Sequence, residues 1–129
     1  MSSNYDLIAQ AMIERQQVLC FYQGHPRAIC PAILGHTNGQ ERTLAFQFAG
    51  SSRTGLPPEG EWKCLDVAGM SNVELRTGKW HAGSSHRERQ RCVKVVDLDV
   101  NPSSPYEPRR RVSQPDGPPT TRQKPRRLR

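Results

Sequence analysis

Aromatic side chains are scarce in this chain: eight of its 129 residues are Phe, Tyr or Trp. Each ring therefore has to be assigned either to a core or to a binding surface. Cysteine is sparse too. Cys20, Cys30, Cys64 and Cys92 form no Cys-x-x-Cys pair, and all four fall in apolar, β-rich stretches where a free thiol acts as a small buried hydrophobe. Free thiols point to a reducing cytosol. No N-terminal stretch reads as a signal peptide, and no run approaches the ~20 apolar residues of a membrane span. Cytoplasmic location without membrane contact is the expectation.

Catalytic motifs are missing as well. There is no Gly-x-Ser-x-Gly elbow, phosphate-binding loop or His-Glu-x-x-His, so no enzyme is expected. Ser51, His25 and Asp66 make a triad only on paper, since nothing in their spacing predicts the geometry a triad needs. His25, His36, His81 and His86 lack helical i,i+4 spacing and nearby cysteines. A zinc site needs about four convergent ligands, so they read as exposed loop residues. Neither a metal nor a cofactor is expected.

Charge is unevenly spread. Residues 1–100 carry 11 Lys/Arg against 10 Asp/Glu, whereas residues 101–129 carry 8 against 2. The basic character belongs to the end of the chain and speaks of its partners, not of the fold. Seven of the eleven prolines also lie beyond residue 100, with Val112 and Leu128 the only aliphatic residues there. Such a segment buries too little to offset its ordering entropy. The chain thus divides into a domain over 1–100 and a disordered Pro/Arg-rich tail over 101–129.

Within the domain, Leu7, Ile8, Ala11 and Met12 follow helical spacing, with Ser3 or Asn4 as cap and an end near Gln17. β-rich runs follow at 18–23, 27–36, 42–49, 62–67, 72–76 and 92–100. Pro31 implies an edge or a bulge in the second run, and Asn38-Gly39 signals a hairpin. In the third run Leu44, Phe46 and Phe48 alternate with Thr43, Ala45 and Gln47, so one face is core and the other wet or covered. Residues 77–91 are polar and irregular. A helix followed by five or six short strands is the layout of a mainly β, Sm-like or SH3-like barrel.

The order of marks resembles a small stand-alone member of the WYL-domain group. Ala11-Met12-Ile13-Glu14-Arg15 before Phe21-Tyr22 is similar to that family's helix-to-strand entry. Arg27 with Pro31 resembles its second strand, Leu44-Ala45-Phe46-Gln47 stands at its signature position, and Trp62 to Met70 and Asn72 to Leu75 resemble the next two strands. Two departures stand out: the Trp-Tyr-Leu signature is absent, and Asp66 lies in the strand where the family tends to place an arginine. Only about seven residues precede the resemblance, so the family's usual helix-turn-helix is not expected. The resemblance implies a ligand-sensing or nucleic-acid-binding module in bacterial regulation, including transcription.

The candidate binding residues are Tyr22, Arg27, Gln47, Ser51, Ser52, Arg53, Trp62 and Lys63. Strand-borne aromatics on a small barrel stack bases while Arg and Lys hold phosphate. Gly50-Ser51-Ser52 offers hydroxyls and backbone N–H groups to an anion. The roles expected are stacking by Tyr22 and Trp62, phosphate contact by Arg27, Arg53 and Lys63, and polar readout by Gln47 and Ser52. Tail contacts to phosphate would come from Arg109, Arg110, Arg111, Arg122, Lys124, Arg126, Arg127 and Arg129. The partner is then single-stranded nucleic acid or a nucleotide-type ligand. The alternative is a protein-interaction adaptor whose barrel edge or face takes a partner's strand. Oligomeric state is not legible.

Overall fold

The structure is a computed structural model and describes residues 3–53, 55–81 and 90–110. One helix, α1 (Ser3–Glu14), precedes β1 (Gln17–Tyr22), β2 (His25–Thr37), β3 (Gln40–Gly50), β4 (Glu61–Asp66), a single 3₁₀ turn η1 (Val67–Gly69), β5 (Met70–Arg76) and β6 (Val95–Asp99). The helix stops three residues earlier than its apolar pattern suggests, because Arg15 takes a left-handed backbone (φ 55°). Asn4 does not cap it. Its amide donates instead to the carbonyls of Val67 and Met70, tying α1 to η1.

The strands form one antiparallel sheet in the order β4-β3-β2-β1-β5, with β6 also on β2. No ladder joins β4 to β5 among the described residues, so the sheet is open where a closed barrel was expected. The strands are also not uniformly short: β2 has 13 residues and β3 has 11. β2 pairs with β1 over its first half and with β6 over its second. Pro31 lies where β1 has ended and β6 has not begun, beside a register shift against β3. Its missing N–H therefore breaks no ladder. Asn38 and Gly39 both have positive φ and close the β2–β3 hairpin, as their sequence signals.

The main core lies between α1 and the inner face of the sheet. Ile8, Met12, Val18, Ile29, Leu34, Ala45, Leu65 and Val67 are buried in it. In β3 the residue that joins this core is Ala45, from the polar-looking Thr43–Ala45–Gln47 face. Thr43 and Gln47 are both fully buried. Burial is tolerable because their polar atoms are satisfied: Thr43 Oγ1 donates to Ile33 O, and the Gln47 amide donates to Ala49 O and Ser51 O.

Part of the outer face is covered by the chain itself. Ile33, Leu44, Cys92, Val93 and Val96 form a second apolar cluster, against which Trp62 and Tyr106 pack. Further along, the His81 ring stacks on Phe48 with centroids 4.0 Å apart, and the His81 backbone N–H donates to Cys30 Sγ. The chain does not leave the fold at residue 101. Ser104 is buried, the Tyr106 hydroxyl accepts from Gln90 N–H, and the N–H groups of Arg109 and Arg110 donate to Val96 O and Asp97 O. The tail from residue 111 on lies outside the described residues, as does 82–89 of the polar segment. No helix among the described residues is long and apolar enough to cross a membrane.

The expectation of four free thiols is overturned. Cys64 and Cys92 form a disulfide, with Cα atoms 5.6 Å apart and a sequence separation of 28. Cys64 pairs with Leu44 across β3–β4 and so shares the outer face, where the returning chain delivers Cys92. With this bridge falls the thiol-based ground for a cytosolic location. Cys20 and Cys30 remain free and buried.

Candidate ligand groove on the outer face

Strand alternation decides which of the candidate residues meet. In β1, Val18, Cys20 and Tyr22 belong to the main core, so Leu19 and Phe21 lie on the opposite, outer face. Arg27 pairs with Cys20 across β1–β2 and shares the inner side with Tyr22. Its guanidinium lies over the Tyr22 ring, 5.0 Å from the centroid, and Nη1 donates to Gln47 Oε1 at 3.2 Å. Arg27 is only 5% exposed. No carboxylate pairs with it among the described residues, and its Nε has no hydrogen-bond partner there. A buried cation without a counter-charge projects its field with little screening.

Four of the eight candidates thus form one corner: Tyr22, Arg27, Gln47 and Ser51. Gln47 bridges Arg27 to the carbonyl of Ser51. The Ser51 hydroxyl in turn lies 3.1 Å from His25 Nδ1, and its N–H donates to Pro26 O. Gly50 makes this corner by close approach: a Cβ there would sit 2.2 Å from Pro26 O. The sequence reading missed His25, and none of the three described histidines is a bare loop residue. His36 Nδ1 lies 3.1 Å from a carboxylate oxygen of Asp97. That carboxylate also receives the Tyr5 hydroxyl and lies 3.2 Å from Arg109 Nε.

The other four candidates stand apart. Ser52 donates to Gly55 O within its own loop, and Arg53 is exposed beside it. Trp62 meets Phe46 edge-on at 5.4 Å beside the second apolar cluster. Lys63 is paired to Glu61 at 2.7 Å. Tyr22 is committed internally, because besides carrying Arg27 its hydroxyl accepts from Asp66 N–H at 3.0 Å. Asp66 pairs with Arg42 at 2.9 Å. Of the tail cations, Arg109 is engaged with Asp97 and Arg110 is exposed. Arg111, Arg122, Lys124, Arg126, Arg127 and Arg129 lie outside the described residues.

The free ring is Phe21, one residue before Tyr22, and it is 44% exposed. It lines a groove of about 580 Å³ over β1, β2 and β5, together with Leu19, Cys20, Pro26, Arg27, Ala28, Gly50, Asn72, Val73 and Glu74. That volume falls in the range of small-molecule sites, roughly 300–1,000 Å³. The floor is apolar, Asn72 and Glu74 supply polar groups from β5, and Arg27 borders the groove while its guanidinium lies on the inner side over Tyr22. Cys20 is no nucleophile here: burial pushes its thiol up to about 11, against the opposing pull of Arg27. Alternation along β1 sets Phe21 and Tyr22 on opposite faces, and the side that α1 covers decides which of them is outward. Tyr22, expected to stack, lies in the main core. Protein-family models, curated proteins and solved structures include no match to this chain.

Proposed function

We propose that this protein is a WYL-like, non-catalytic binding module that takes a nucleotide-type ligand, free or within single-stranded nucleic acid, in the outer-face groove. The observation that carries this reading is an exposed ring, Phe21, in a groove that Arg27 also lines, a buried cation with no carboxylate partner among the described residues. A base stacks on the ring, and the phosphate is drawn by Arg53 in the loop after Gly50 and by the field of Arg27, whose guanidinium lies on the inner side of the sheet. Base–aromatic stacking tolerates any base, and alanine substitution of the ring costs about 1–3 kcal/mol. Tail cations add sequence-independent attraction.

The test is fluorescence anisotropy of a labelled single-stranded oligonucleotide against the full chain and its Phe21→Ala and Arg27→Leu variants. Each variant is expected to weaken binding about 5- to 100-fold at moderate salt. Wild-type affinity in both variants would sink the proposal.

A second reading, a protein adaptor, draws on the same region. β5 pairs only with β1 among the described strands, which leaves its other edge to an added strand. Light scattering with and without oligonucleotide separates the two, because strand addition between copies raises the mass without nucleic acid.

A further inference from the structure

The groove's β5 wall carries an irregularity with chemical meaning. Leu19 pairs with Glu74 and Phe21 with Ser71, so two steps along β1 are met by three along β5. This is a β-bulge, a device that re-aims side chains and recurs next to binding sites. Within it Asn72 takes a left-handed backbone, φ 52°. A glycine would adopt that conformation at no steric cost, whereas asparagine brings a side-chain amide to it. Met70, Val73 and Leu75 face the core; 70 to 73 is an odd step, possible only because of the extra residue. Asn72 and Glu74 stay exposed and both line the groove that Phe21 lines.

Resting on the reading of that groove as a nucleotide site, we infer that the bulge makes it selective for guanine. Glu74 is acceptor-only when ionised, and Asn72 can donate. On the Watson–Crick edge, guanine alone among the common bases presents two adjacent N–H donors, N1–H and the N2 amino group, beside the O6 acceptor. A base stacked on Phe21 then offers its donor pair to the Glu74 carboxylate and O6 to the Asn72 amide. Adenine N1 and cytosine N3 and O2 would set lone pairs against the carboxylate, and uracil would do so with O2 and O4. The site thus rejects as well as attracts. The carboxylate also explains why a groove meant for an anionic ligand carries a negative group: it faces the base, not the phosphate.

The experiment is calorimetric titration of the full chain with GMP, AMP, CMP and UMP, repeated for Glu74→Gln and Asn72→Gly. Both positions are exposed, and glycine keeps the bulge backbone, so both variants are expected to fold; thermal melts check this. GMP is expected to bind about 5- to 100-fold more tightly than the other three, the range of one good bidentate base contact. Glu74→Gln is expected to erase that preference by weakening GMP and strengthening the other three, and Asn72→Gly to reduce it. Equal affinity for all four nucleotides, or a guanine preference that survives Glu74→Gln, overturns the inference and leaves the groove standing. No binding of any nucleotide overturns both the inference and the function it rests on.

Discussion

Arg27 and Gln47 show how a single residue can be structural and functional at once. Gln47 is fully buried and spends its amide on two loop carbonyls while accepting from Arg27. Gln47→Leu would leave those carbonyls and the guanidinium without partners, for about 2–3 kcal/mol of lost stability in a denaturant titration. Arg27→Leu removes a buried charge with no carboxylate partner among the described residues but leaves the buried Gln47 Oε1 without its donor. Stability is expected to fall by about 1–3 kcal/mol, and ligand affinity falls with it. Tyr5 gives a pH prediction. Burial, and then the hydrogen bond to Asp97, raise its phenol well above the ordinary value. The folded state therefore keeps a proton that the unfolded chain releases near pH 10. Its contribution is complete below pH 10 and is lost as pH rises further, at up to about 1.4 kcal/mol per pH unit. Denaturant midpoints measured from pH 9 to 11 should fall in the native chain and fall less steeply in Tyr5→Phe.

At the level of elements, β2 is the organising strand, because it hands its edge from β1 to β6 along its length. The hand-over needs Gly35, where a Cβ would lie 1.9 Å from Val95 O. Gly35→Ala is expected to push β6 away, costing about 1–3 kcal/mol or more. Hydrogen exchange should show the amides of Val95–Asp99 losing protection first. The disulfide fastens the same region from outside, holding β4 to the chain just before β6. For a closed loop of 28 residues, chain-entropy reasoning gives roughly 3–4 kcal/mol of stabilisation. Thiol titration in denaturant without reductant should count two thiols, from Cys20 and Cys30, and four after reduction, with a lower melting temperature for the reduced chain.

For the whole molecule, charge and fold are separate systems. Residues 1–100 are near neutral, and eight cations follow. If all eight met single-stranded nucleic acid, log affinity would fall with log salt at a slope of about −6. Arg109 is already engaged with Asp97, so about −5 is expected. Neutralising Arg122, Lys124, Arg126, Arg127 and Arg129 together should flatten that slope by about 3.5. Phe21→Ala should weaken binding at every salt concentration without changing the slope. Segment 101–110 joins the two systems, since Tyr106 packs on the second apolar cluster and Arg109 reaches the buried Asp97.

The sequence by itself determined the helix, the six strands, the Asn38-Gly39 hairpin and the irregularity at Pro31. These rest on local causes: apolar period, turn residues and a missing N–H. Of the eight residues expected to form one binding set, Tyr22, Arg27, Gln47 and Ser51 lie together in the structure. Only the tertiary structure decided that Tyr22 faces inward and Phe21 outward, since facing depends on which side of β1 the helix covers. The pairing of Cys64 with Cys92, the docking of residues 101–110 and the separation of Trp62 from Arg27 were likewise settled there. Each depends on where distant segments cross the sheet, and no local pattern of residues encodes that crossing.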